Sequence, residues 1–185
     1  MTLIILGLAL WIGAHMFKRM APGPRARLGN AGKGLVALGI LVGVALMYLG
    51  YKGADFIAVY TPVPGIGHLN NLMMLVAVFF FGIGSSKGTL ADKIRHPMLW
   101  GMVIWAVAHL LVNGDQASVV LFGGLGLWAL AQRALINRAE PDWTPPEPRG
   151  RSADIKNAVI TLVIFAVIAG IHAWSGHSPF LGTYG

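Results

Sequence analysis

Residues 97–113 read PMLWGMVIWAVAHLLVN, an apolar stretch that holds one imidazole, His109, and no formal charge. A helix crossing a bilayer needs about 20 mostly apolar residues, fewer where flanking groups reach the interface. The stretch therefore reads as a membrane span, and working outward from it finds five more, at 2–17, 34–51, 69–85, 117–131 and 158–174. Of the 185 residues, 56% are hydrophobic and only 11% charged, against about 25% charged in soluble proteins. A water-soluble core could not hide that much apolar surface. The predicted fold class is all-α: a single-domain polytopic membrane helix bundle over residues 1–185, with about six transmembrane helices.

The charges set the expected orientation. Every basic residue except Lys52 sits in or beside one of three alternate connections. Lys18, Arg19, Arg25, Arg27 and Lys33 follow the first span, and Lys87, Lys93 and Arg95 follow the third. Arg133, Arg138, Arg149, Arg151 and Lys156 belong to the fifth-to-sixth connection and its flanks. The positive-inside rule places those connections in the cytoplasm and both termini outside. Topology thus accounts for the net charge of +7, and no nucleic-acid partner is expected. The first apolar run has no basic residues before it and no A-x-A site after it, so it reads as a retained helix and not a signal peptide.

Tyr48, Tyr51, Tyr60, Trp174 and Tyr184 fall near the outer boundary, where amphipathic rings are favoured. The linker 138–156, with Pro141, Pro145, Pro146 and Pro148, reads as an extended cytoplasmic tether. The outer segment 53–67 mixes apolar residues with Pro62 and Pro64, and suggests an interfacial structure lying as a lid over an outer-facing pocket. Gly39 and Gly43 in the second span, and Gly123, Gly124 and Gly126 in the fifth, are positions for close helix approach.

The chain has no cysteine, which excludes disulfides, thiolate ligation and covalent haem attachment through C-x-x-C-H. Any metal must be held by histidine, methionine or oxygen. His15 and His109 lie inside spans, where an ionisable group needs a partner or a function. Asp55 and Asp115 are the only carboxylates at membrane depth or outside, so a carboxylate proton relay has little support. A b-type haem takes two axial imidazole nitrogens and an apolar slot between helices. Gly101, Trp105, His109 and Asn113 share one helix face, and Trp11 and His15 are one turn apart. Haem ligation by His15 and His109 stands beside the plainer reading of hydrogen-bonded interior histidines. His68 and His172 read as interfacial polar residues or as ligands. His96 precedes Pro97 and marks the start of the fourth span, and His177 reads as exposed.

Three segments carry a family resemblance: HPMLWGMVIWAVAHLLVNGD from His96 with the following LFGG, LWIGAHMFKRMAPGPRARLG at the first span, and GIHAWSGHSPFLG near the end. They resemble the NnrU family of bacterial membrane proteins over nearly the whole chain. That resemblance implies an inner-membrane protein linked to denitrification through nitrite and nitric oxide metabolism, as a redox or isomerase-type enzyme or as an accessory factor. The same superfamily contains the plant 15-cis-zeta-carotene isomerase, a haem b membrane enzyme. Its ligand-bearing segments are similar to WAVAH at His109 and to the AH at His15, which implies haem b held by that pair beside Trp105 and Gly101. The isomerase reaction is not implied, because the similarity to that enzyme is confined to short segments. Expected partners are the lipid bilayer, a small or lipophilic substrate, and denitrification or respiratory membrane proteins.

Depth disturbs this pairing. At about 1.5 Å per residue, His15 lies roughly 20 Å below the outer end of its span and His109 roughly 6 to 9 Å below, so His109 with His172 or His68 is the better match. Two other functions are weighed. Arg95, His96 and Pro97 followed by Gly101 resemble the R-H-P-x-x-x-G motif of isoprenylcysteine methyltransferases, but no Glu occurs before Glu140 to supply the acidic residues those enzymes carry. A noncatalytic assembly partner of a respiratory complex fits six plain helices without a carboxylate pathway.

Overall fold

Proline, charge and side-chain caps set where the helices begin and end. The computed structural model describes residues 1–181, and Tyr184 lies outside them. The helices are α1 (Thr2–Met20), α2 (Pro22–Arg27), α3 (Ala31–Lys52), α4 (Gly67–Ser86), α5 (Pro97–Val112), α6 (Gln116–Ala139) and α7 (Arg151–Trp174). Pro22 and Pro97 occupy the first turns of α2 and α5, where the missing N–H has no intrahelical partner to lose. Asp115 caps α6 by accepting from the Ser118 backbone N–H.

Five helices, α1, α3, α4, α6 and α7, are long and apolar enough to cross a bilayer. The expected fourth span corresponds to α5, which has only 16 residues, roughly 24 Å of helix against about 30 Å of hydrocarbon. Two boundaries move. Helix α6 runs on to Ala139 and α7 begins at Arg151, so the nonhelical part of the expected 138–156 tether is 140–150. Hydropathy stops where charge begins, whereas Ala, Gln, Arg and Leu continue to favour helix beyond that point.

The helices form an arc. Helix α3 packs on α1, α1 on α6, α6 on α5, α5 on α4, and α4 on α7. One core, built on Ile4, Leu8, Met47, Leu121, Phe122 and Leu125, joins α1, α3 and α6, and a second lies around Met16, Trp128 and Ala129. Leucines and valines such as Leu38, Leu41, Val159, Leu162 and Val167 stay exposed on the outer faces. In water such a belt would be an aggregation surface; against lipid tails it costs nothing.

Close approach of α1 and α3 depends on glycine. A methyl at Gly7 would lie 2.6 Å from the Gly43 carbonyl oxygen, and one at Gly43 would lie 3.0 Å from the Gly7 carbonyl oxygen. Of the glycines expected to serve this way, Gly39, Gly43, Gly124 and Gly126 have a neighbouring helix within van der Waals reach, whereas Gly123 faces open space. Gly7 and Gly50 belong to the set as well.

The bundle has a basic end and an opposite end. At the basic end Arg19 pairs with Glu140 at 3.0 Å, and Arg95 donates to the Glu140 and Pro141 carbonyls, fastening the 140–150 segment. At the opposite end the 53–66 segment is nonhelical and pinned to the α5–α6 turn. Val59 N–H donates to the Gly114 carbonyl at 2.8 Å, Gln116 N–H donates to the Ile57 carbonyl, and one isolated bridge joins Ala58 and Asp115. Tyr60 adds hydrogen bonds to the Asn113 and Leu110 carbonyls. Of the tyrosines and tryptophan expected at the boundary, Tyr48, Tyr60 and Trp174 are exposed, Tyr60 while bonded to the Asn113 carbonyl, and Tyr51 is tied inward to Ser118.

Two outcomes follow. Gly7→Val should lower the thermal midpoint in detergent, with a cost of about 1–3 kcal/mol for forced overpacking, while Gly123→Ala should hold it or raise it; equal effects would refute the close-approach assignment. Burial first, and the Asp115 carboxylate second, hold the Tyr60 phenol above its usual range. Its folded value exceeds its unfolded one, so its contribution is present below about pH 10 and is lost as pH rises through the folded value. Tyr60→Phe should therefore be less stable than the native chain near neutrality, and the difference should shrink in strong alkali, as thermal melts across that range would register.

Candidate functional site

Because α7 packs chiefly on α4 while α3 packs chiefly on α1, the concave side of the arc encloses a cavity of about 1720 Å³ lined by α3, α4, α5, α6 and α7. Small-ligand pockets usually hold roughly 300–1,000 Å³, so this one has room for a large flat molecule and more. It runs the length of the bundle, from Lys52, Asn71 and Pro179 at the opposite end to Ser86, Arg149 and Lys156 at the basic end.

Three histidines line it, His109 and His172 on helices and His177 in the tail. His109 on α5 has its Nδ1 2.9 Å from the Trp105 carbonyl, and His172 on α7 has its Nδ1 2.8 Å from the Ile168 carbonyl. A carbonyl only accepts, so in each ring Nδ1 carries the proton and Nε2 keeps its lone pair. This is how metal-ligating histidines are commonly oriented, with the other nitrogen donating to a carbonyl or carboxylate. The His109 ring stacks on Phe122 at 4.4 Å and lies 4.6 Å from Trp105, so aromatic faces hold its plane.

His15 is elsewhere. It makes the same local bond, Nδ1 to the Trp11 carbonyl at 2.9 Å, but its ring packs against Trp11 at 4.2 Å and Trp128 at 4.7 Å, and it does not line the cavity. Phe122 and Trp128, the α6 partners of His109 and His15, are six residues apart, roughly 9 Å along the axis. The indole N–H groups of Trp11 and Trp128 are buried there without an acceptor among the described residues.

The other candidates are distributed. Gly101 is not in the cavity lining; a methyl there would lie 2.9 Å from Phe81, so its role is α4–α5 contact. His68 is exposed in the first turn of α4 and does not line the cavity. His96, with a left-handed φ of 62°, starts α5 at the basic end and bonds Asn137 at 2.8 Å through Nε2. With Arg95 spent on the 140–141 carbonyls, the R-H-P residues serve as anchors. His177 lies at the cavity mouth, its N–H donating to the His172 carbonyl at 2.8 Å. The 53–66 segment does not contribute to the lining; the tail around Pro179 does, held by an Asn71 Nδ2 bond of 3.0 Å to the Pro179 carbonyl.

Sequence reasoning missed a second polar feature. Tyr51 lines the cavity, and its hydroxyl lies 2.8 Å from Ser118 Oγ, which in turn donates to Asp115 Oδ2. Since the carboxylate only accepts, the proton order runs from Tyr51 to Ser118 to Asp115. The four-residue spacing of Asn157, Thr161, Phe165 and Ala169, ending near His172, is the readable trace of the α7 cavity face; Asn157 and Thr161 are buried although the helix is otherwise apolar. Among the described residues no cluster of three or more His, Asp or Glu is placed to hold a bare metal ion. The donors at mid-cavity are instead the His109 and His172 imidazoles, beside Trp105 and Phe122, a donor chemistry compatible with an iron macrocycle.

Ser118→Ala removes the acceptor of Tyr51 and one of the two groups Asp115 receives from. It should destabilise the chain by about 1–3 kcal/mol, the cost of leaving a polar group unsatisfied, whereas Tyr48→Phe, altering an exposed side chain, should leave melting unchanged.

A family model described as NnrU protein matches residues 3–179. No curated protein and no solved structure matches the chain.

Proposed function

The chain belongs to the NnrU family, and from that premise we propose that it is a multipass protein of the bacterial inner membrane that holds haem b in its cavity and serves denitrification. The basic end faces the cytoplasm, in keeping with the positive-inside rule, and both termini lie outside. His109 and His172 would hold the haem iron. The observation that carries this reading is that both imidazoles line one cavity with their Nδ1 protons spent on backbone carbonyls, which leaves both Nε2 lone pairs for iron.

Haem b, when bound, supplies an iron that exchanges single electrons at a potential tuned by its ligands and surroundings. The chain's own residues do the rest. Trp105 and Phe122 fix the plane of His109. Tyr51 presents its phenolic oxygen to the cavity, and a proton accepted there passes on through Ser118 to Asp115 near the outer surface. A lipophilic substrate, or an electron partner in the same membrane, reaches the cavity through the side that α3 and α7 leave open.

The purified chain, expressed with haem supplied, should show a b-type spectrum and a pyridine haemochrome. His109→Ala and His172→Ala should each lose most of the Soret intensity, and His15→Ala should keep it. Retention in His172→Ala with loss in His15→Ala would move the ligand pair to α1 and α5, and absence of any Soret band in the native chain would end the haem reading. Deleting the protein should slow nitrite and nitric oxide turnover by the cell; an unchanged turnover would sever the link to denitrification.

A further inference from the structure

We propose that the basic end of the cavity binds an anionic phospholipid of the adjoining leaflet, its headgroup between Arg149 and Lys156 and an acyl chain along the cavity-facing side of α7. The idea is independent of the iron ligands, which lie toward the other end of a cavity with volume to spare.

The headgroup argument is one of uncompensated charge. Three arginines at this end are engaged, Arg19 with Glu140, Arg95 with the 140–141 carbonyls, and Arg133 over the Trp100 ring at 4.2 Å, while Arg27, Arg138 and Arg151 lie outside the cavity lining. Arg149 and Lys156 line the cavity mouth, and among the described residues neither side chain has a hydrogen-bond or ion-pair partner. Asp154, two residues from Lys156, is turned to Thr89, its Oδ2 accepting from the Thr89 N–H at 2.9 Å and the Thr89 hydroxyl at 2.6 Å, and among the described residues it forms no ion pair with either cation. Two cations and the Ser152 hydroxyl therefore face the mouth with no acidic partner.

The chain argument is one of solvation. Above the cations the α7 wall carries Ile160, Ile164, Phe165, Ile168 and Ala169, interrupted by Asn157 and Thr161 near the basic end, with Ile160 and Ile164 still 45% and 42% exposed. A lateral groove lined by such residues at hydrocarbon depth is unfavourable for water and is filled by an acyl chain. A free phosphate or carboxylate would satisfy the cations but leave that wall empty. A zwitterionic lipid would fill the wall but bring its own cation to Arg149 and Lys156. Only an anionic lipid matches both, and juxtamembrane Lys and Arg attract such lipids.

Trp105 lines the same cavity and reports on the acyl chain. The full-length protein is reconstituted in phosphatidylcholine vesicles doped with either phosphatidylglycerol or phosphatidylcholine carrying brominated acyl chains, and tryptophan quenching is compared at equal mole fraction. Phosphatidylglycerol should be preferred roughly thirtyfold, the scale expected of two surface cations. The preference should vanish in Arg149→Gln/Lys156→Gln, survive in the charge-keeping Arg149→Lys/Lys156→Arg, and survive in Lys18→Gln/Arg27→Gln at the same end of the bundle. The excess quenching should also disappear in Trp105→Phe. Equal quenching by the two lipids, a preference that persists in the double glutamine variant, or its abolition by millimolar inorganic phosphate would each overturn the proposal. A missing Soret band would leave these outcomes untouched.

Discussion

An imidazole surrounded by hydrocarbon must have both ring nitrogens accounted for, and the architecture follows from how that demand is met. Helix geometry disposes of one nitrogen locally: His15, His109 and His172 all bond through Nδ1 to the carbonyl four residues back. The second nitrogen cannot be served by its own helix, so it must meet a neighbouring side chain, a water or a bound group. For His109 and His172 the neighbour is open space, and that space exists because α3 and α7 stand at the two ends of an arc of helices.

The arc itself rests on backbone proximity. Gly7 and Gly43 let α1 and α3 touch, and Gly124 receives Leu8 where α6 meets α1. In lipid no hydrophobic force drives helices together, so dispersion at such small-residue contacts decides which faces meet. The same pairs that close one side of the bundle leave the other side concave, because α7 is supported chiefly by α4.

Much of this was readable from the chain. The apolar runs located every long helix, and the bonds between Arg19, Arg95 and the 140–141 segment confirm that the basic connections share one end. The depth of His109 relative to His15 was also legible, since rise per residue is a property of the helix alone. What hydropathy could not supply was lateral order: nothing in the spacing of apolar residues says that α4 lies between α5 and α7, or that His15 faces Trp128 and not the cavity. The ends of α6 and α7 were misjudged because hydropathy reports solvent and not backbone conformation. Asp115 was read with Asp55 as an outer carboxylate giving little support to a proton relay, and its link to Tyr51 is invisible without knowing that α3 and α6 are neighbours at that end.

The placement of α7 also bears on biogenesis. It leaves the ribosome after α3, α4, α5 and α6, yet it supplies a whole wall of the cavity, together with His172, Asn157 and Lys156. Until it inserts, α3, α4, α5 and α6 present a shallow trough with His109 facing the bilayer. On the haem reading proposed above, a planar guest would enter that trough sideways, and the arrival of α7 would shut the door behind it.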